Sequence, residues 1–163
     1  MKLVEGRATV ENVDAFLDEL TMIGEAHGAI VQAFDAGYVA GADHLRAAAR
    51  SARRSRAHDD AIADDPAVEL LLYAAGRRQI DQALTLGVQT GASPVVVAID
   101  GGEEDAAAAA IADHLEPVET LGTARDPAAI RRYFDISETE LAATDASLEA
   151  LVIERVVRLA VEK

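Results

Sequence analysis

Apolar positions follow two rhythms along the first two thirds of the chain. Residues 2–10 alternate in part between apolar and polar side chains, the period of a half-buried strand. Val13, Phe16, Leu17, Leu20 and Ile23 then recur at helical spacing, with Asn12 or Asp14 as the cap and Gly24 and Gly28 at the exit. Ala29–Phe34 is a short apolar run and reads as a second strand. A helix follows over Asp43–Ala57. Its inner face is Leu45, Ala48, Ala49 and Ala52, and Arg46, Arg50, Arg53 and Arg54 fall on the opposite face. His58–Pro66 is polar and acidic, the composition of a loop.

Val68–Ala74 is the most apolar run and is expected to be a strand buried on at least one face. A helix over Arg78–Leu86, with Ile80, Ala83 and Leu84 inward, is expected after Gly76. Pro94–Ile99 reads as a strand ended by Asp100-Gly101-Gly102, Glu103–Leu115 as an alanine-rich helix, and Glu116–Leu121 as a last strand. Asp126 and Ser137 have the character of N-caps for two short helices, and a terminal helix covers Ala146–Val161. The order predicts one domain over residues 1–163, α/β or α+β. It has a mixed sheet of about four to five strands flanked by helices, with a helical C-terminal lobe.

Composition refines this picture. Half of the residues are apolar, enough for a sizeable core, but aromatics are 4%, so Leu, Ile, Val and Ala must fill it. Cysteine is absent, which excludes disulfides and thiolate metal sites. The purest apolar run, Ala106–Ala112, is too short to span a bilayer, and Met1–Glu5 holds no signal-peptide core. The expected location is the cytoplasm, with no membrane partner. Net charge is −14, and 13 of the 15 basic residues are arginine. This balance resembles the acidic proteomes of salt-in halophiles, in which carboxylates keep a surface hydrated. Against that background, residues 46–78 hold seven arginines and five carboxylates. That stretch stands at +2 and the remainder at −16. Clustered arginine suits an anionic partner, and equally an exposed helix pairing with neighbouring acids.

Candidate chemistry is sparse. Asp100-Gly101-Gly102 lies between a strand and a helix, where a phosphate loop belongs, but it lacks both the dinucleotide spacing and a Walker lysine. His27, His44, His58 and His114 show no zinc-site spacing. The acids between His58 and Asp65 lack the glycine and spacing of a calcium loop. None of the serines has a nucleophile-elbow context.

The run Glu69-Leu-Leu-Leu-Tyr-Ala-Ala-Gly-Arg-Arg-Gln-Ile80, followed by Ala83-Leu84 and Gly87-Val88, resembles the kinase-binding regulatory subunit of the KEOPS complex. Gln32–Asp35, Gly41 with His44-Leu45, and Leu151–Val156 with its Glu154-Arg155 pair resemble the same family, in the expected order. Arg77 stands where relatives often have Lys or Thr. The resemblance implies a non-enzymatic subunit without a cofactor. It would bind the complex's atypical kinase, meet the other subunits indirectly, and recruit tRNA, not DNA, by its single-stranded 3′ CCA end. The modified base is the adenosine beside the anticodon, which receives a threonylcarbamoyl group. Single-stranded ends are held by stacking and edge hydrogen bonds. The expected RNA contacts are therefore Tyr73, Gly76, Arg77, Arg78 and Gln79, with Arg46, Arg50 and Arg53. Without the resemblance, Tyr73 reads more readily as a core strand residue and Gln79 as a polar residue at a helix N-terminus. The terminal helix has a wide apolar arc, and Leu151, Val152, Arg155, Val157 and Leu159 are the expected kinase contacts, although periodicity alone suits deep burial of the arc equally well. Two other readings stay open: an adaptor or activator of the kinase that never touches RNA, and a small nucleotide-binding enzyme using the Asp100-Gly101-Gly102 turn.

Overall fold

The computed structural model describes residues 1–162. Its element order is β1 (Lys2–Val10), α1 (Val13–His27), β2 (Ile30–Asp35), α2 (Ala42–Ala57), α3 (Pro66–Ala75), α4 (Ile80–Ala83), β3 (Gly91–Asp100), α5 (Glu104–Ala112), α6 (Pro127–Phe134), α7 (Glu138–Ala143) and α8 (Leu148–Val161). Short 3-10 turns cover Ala36–Tyr38 and Leu84–Leu86.

The sheet has three strands in the order β1-β3-β2, with both pairings antiparallel. This corrects the expected mixed sheet of four to five strands. Alternation along the central strand explains why the fold has two cores. Val95, Val97 and Ile99 point to one face, where Leu20 of α1 and Ala107 and Ile111 of α5 cover them. Val96 and Ala98 point to the other face, with Phe34, and meet α2, α3 and α8.

The run around Leu70 is a helix, not a strand. Glu69 to Ala75 of α3 are all buried, because α2 and α8 pack on α3 as well as the sheet. A helix enclosed on every side loses its amphipathic period and looks like a buried strand. The end signals were in the sequence. Asp65 accepts from the Ala67 amide at 2.8 Å, Pro66 takes the first turn, and Gly76 closes the helix at φ 62°.

The expected strand over Glu116–Leu121 is also absent. That segment makes one bridge to β1, Arg7 with Glu116, and Pro117 follows. Glu5 then holds the segment by its side chain, accepting from the amides of Thr120 and Leu121 at 2.8 and 2.7 Å. The expected helix over Arg78–Leu86 shrinks to the single turn α4 and the 3-10 turn, and begins after Arg78 and Gln79. Ala83 and Leu86 face inward, but Ile80 and Leu84 are half exposed.

The α2 helix begins at Gly41 with no side-chain cap of its own. Glu149, in the first turn of α8, supplies one. Its carboxylate accepts from the His44 amide at 3.3 Å, and a Cβ on Gly41 would collide with it. The glycine and the histidine noted in the sequence thus mark where α8 docks on α2. The His44 ring is fully buried. Its Nδ1 accepts from the Ala40 amide at 3.1 Å, so Nε2 carries the proton and donates to the Ala74 carbonyl at 2.8 Å.

Burial pushes the His44 ring down to about 4 from its ordinary 6.5. Between those values the unfolded chain takes up a proton that the native ring refuses. This contribution to stability is therefore complete above pH 6.5 and is lost as pH falls towards 4. It is worth roughly 3 kcal/mol in full. Melting curves from pH 7 to 4 should fall more steeply for the wild type than for His44→Gln. Parallel slopes would contradict this assignment. Among the described residues, no helix is long and apolar enough to cross a membrane.

Candidate functional site

The α3 helix delivers the Gly76-Arg77-Arg78-Gln79 turn to the C-terminal half of α8. Gly76 adopts the left-handed conformation there, and a Cβ on it would lie 3.5 Å from the Arg155 carbonyl oxygen. The turn, the end of α6 and the last turns of α8 enclose a cleft of about 350 Å³. Ala75, Phe134 and Leu159 supply apolar lining, and Arg77, Arg155 and Arg158 supply guanidinium groups, with Asp135 as an acceptor.

In and beside the cleft the arginines differ in how much of their bonding capacity is free. The Arg77 guanidinium lies 4.5 Å from the centre of the Tyr133 ring and donates to the Tyr133 carbonyl. Burial pushes the Tyr133 hydroxyl up to about 12, so it stays protonated and donates to the Gln82 carbonyl at 2.8 Å. Arg77 is therefore a wall of the cleft rather than a free arm. Arg78 is exposed and, among the described residues, reaches only the Glu162 carbonyl at 3.5 Å. Gln79 is exposed ahead of α4, and its amide oxygen accepts from Gln82 at 3.3 Å.

A second groove of about 340 Å³ lies beyond Arg78, lined by Ile62, Val68, Leu72 and Ile80 with Asp64 and Asp65 at its rim. Arg78 lines this groove, whereas its neighbours Gly76 and Arg77 line the 350 Å³ cleft, so the turn contributes to two concave surfaces. One wall of the groove is held from inside the protein. The Glu69 carboxylate is fully buried and accepts from Ser55 Oγ at 2.6 Å, from the Ile62 amide at 3.0 Å and from the Ala63 amide at 2.8 Å. The first residue of the sequence signature thus pins the 58–65 loop.

Several expected contacts need correction. Tyr73 is fully buried in α3, so its ring offers no face to a base. Leu151, Val152 and Leu159 are core residues, because the apolar arc of α8 packs on α2 and α3. Arg155 is held internally. It donates to the Phe134 and Asp135 carbonyls, both at 3.2 Å, and to both carboxylate oxygens of Glu140, at 2.8 and 2.9 Å. That guanidinium holds the Glu140 carboxyl below its ordinary range. Of the expected kinase contacts only Val157 stands out to solvent, at 49% exposure.

Arg46, Arg50, Arg53 and Arg54 form the expected exposed stripe on α2, but two of them are occupied. Arg46 pairs with Asp43 at 3.1 Å, and Arg53 with the nearly buried Asp100 at 3.3 Å. The stripe lies away from the 350 Å³ cleft. Sequence reading missed Tyr133, Phe134, Asp135 and Arg158. The one local signal was Arg131-Arg132-Tyr133-Phe134, a pair of guanidiniums beside a pair of aromatic rings in a chain poor in aromatics.

The Asp100-Gly101-Gly102 turn cannot act as a phosphate loop. The Gly101 amide already donates to Glu104 at 2.7 Å, and the Glu103 amide to the His27 carbonyl at 2.9 Å. The end of α1 presses its carbonyls at His27 and Gly28 against Gly102, which sets the negative pole of a helix where an anion would sit.

The family model for the kinase-binding protein CGI-121 matches residues 8–158. No curated protein matches the chain.

Proposed function

Because the chain belongs to the CGI-121 family of kinase-binding proteins, we propose that it is a non-catalytic subunit of the KEOPS complex that holds the atypical kinase and presents the 3′ CCA end of tRNA to the assembly. The observation that carries this reading is the meeting of two signature segments. Gly76 and Arg77 of the turn line one cleft with α8, Arg78 and Gln79 stand exposed next to them, and an exposed apolar helix crest lies beside it. Kinase binding is assigned to that crest and RNA binding to the turn.

With Tyr73 in the core, a terminal base has the guanidinium plane of Arg158 to stack on within the cleft, beside the Ala75 and Leu159 lining, and the exposed Arg78 next to it in the turn. Arg78 has the freest donors, and Gln79 can read a base edge. In a cytosol near molar salt the Debye length falls to about 3 Å, and counterion release contributes little. Affinity then rests on short contacts of this kind.

A gel shift at about 2 M KCl with intact and CCA-trimmed tRNA tests the reading. Trimming is expected to weaken binding about tenfold or more, and Arg78→Ala to weaken intact tRNA to a similar degree, since a base–side-chain stack is worth about 1–3 kcal/mol. Arg53→Ala, whose guanidinium is engaged with Asp100, is expected to matter mainly at low salt. If trimming leaves the shift unchanged, tRNA recruitment by the CCA end fails, and the adaptor reading without RNA contact takes its place.

A further inference from the structure

The crest of α8 carries a second observation, which rests on the kinase-binding reading above. Val157 and Val161 are 49% and 80% exposed, and Ile153 and Ala160 are partly exposed beside them. At about 100° per residue these four occupy one flank of the helix. Arg155, Arg158 and Glu162, which line the 350 Å³ cleft, occupy the opposite flank. The crest therefore separates the cleft from whatever lies on the Ala160 side.

On that side stands α2. Ala160 shares a small cavity with Ser51, Arg54, His58 and Asp60, which places the α2 shoulder directly against the apolar flank of α8. Arg50 lies one helical turn before Arg54 on the same exposed stripe. Most of the charge nearby is already paired. Arg46 is with Asp43, Arg53 with Asp100, and across the crest Arg158 with Glu154 at 3.1 Å. The guanidiniums of Arg50 and Arg54 make no ion pair or hydrogen bond among the described residues. Both are exposed, in a chain whose net charge is −14.

We propose that Arg50 and Arg54 form the charged rim of the kinase-binding surface rather than part of an RNA track, and that they receive carboxylates of the kinase. Two features favour a protein over a nucleic-acid backbone here. A phosphate strand gives no cover to Val157 and Val161, whereas a protein face with an apolar ridge and an acidic border covers both groups at once. The cleft assigned to the RNA end also lies across the width of α8, about 10 Å away. A kinase seated on the crest would thus bind Arg50 and Arg54 at one edge and stand beside the RNA cleft at the other.

The test measures two affinities of the full-length chain, for the purified kinase by calorimetry and for tRNA by gel shift. The proteins are wild type, Arg50→Glu/Arg54→Glu, Arg50→Gln/Arg54→Gln and Val157→Asp, with circular dichroism at each salt. At about 0.2 M KCl the Glu pair should weaken kinase binding by about tenfold or more and the Gln pair by less. Both losses should shrink at about 2 M KCl, where exposed charges are screened, while tRNA affinity changes less than about twofold. A loss of tRNA affinity with intact kinase binding would return these arginines to the RNA and overturn the proposal. So would Arg50 and Arg54 variants that bind the kinase normally while Val157→Asp does not. If Val157→Asp also binds normally, the assignment of the crest to the kinase has failed and the proposal falls with it.

Discussion

Replacing Glu69 with alanine is expected to destabilise the protein by roughly 3–5 kcal/mol. The substitution takes the acceptor from the Ile62 and Ala63 amides, while the Ser55 hydroxyl can turn to the Ala52 carbonyl at 2.9 Å; a buried donor left unsatisfied costs about 1–3 kcal/mol. Relaxation of the 58–65 loop towards water sets the total below the full sum. For a chain of this size each kcal/mol is worth about 2–4 °C in melting temperature, so a fall of about 10 °C is expected. The effect should be local before it is global. With the Ile62 and Ala63 amides released, limited proteolysis should cut within residues 58–65 in native buffer, where the wild type resists. Glu69→Gln keeps one carbonyl oxygen for these amides and should fall between the two. An alanine variant within about 1 kcal/mol of wild type, with an uncut loop, would show that the buried carboxylate does not hold the loop.

Glu69 also illustrates how much the sequence disclosed. As the first letter of a recognisable segment it reads as a family marker. Its partners, Ser55 and the amides of Ile62 and Ala63, come from the preceding helix and loop, and nothing in local patterning points to them. Elements that end on their own signals were legible. Asn12 caps α1 by accepting the Ala15 amide at 2.9 Å, Ser137 caps α7 by accepting the Glu140 amide at 2.9 Å, and α2 shows the predicted arginine stripe. The α3 helix was not legible, because burial on all sides erased its period. The missing strand count follows directly from that error and from the Glu116–Leu121 segment, whose ties to β1 run mostly through the Glu5 side chain.

The candidate site divides in the same way. Gly76–Gln79 is contiguous and was found from sequence, whereas Phe134, Asp135 and Arg158 reach the cleft from distant segments. Tyr73 and Leu159 show the opposite failure. Their residue types suit a contact surface, yet helix packing turns both inward. Leu159→Asp would therefore report on folding, not on partner binding, since it places a charge in the core.

Val157 is free of that confusion, being half exposed on the crest of α8. An aspartate there costs the free protein little but would carry a charge into an apolar contact when a partner docks. The penalty for an unpaired polar group or charge buried in this way is several kcal/mol, which corresponds to an affinity loss of about a hundredfold or more. Circular dichroism and melting temperature should match the wild type within about 2 °C.

Co-purification of the tagged chain with its kinase tests the α8 crest most directly. Wild-type protein should retain the kinase stoichiometrically through a wash at about 2 M KCl, because an apolar contact survives salt that screens charges. The folded Val157→Asp variant should release it. Equal retention by a folded Val157→Asp variant, or no retention by the wild type, would contradict the assignment of the α8 crest as the kinase-binding surface.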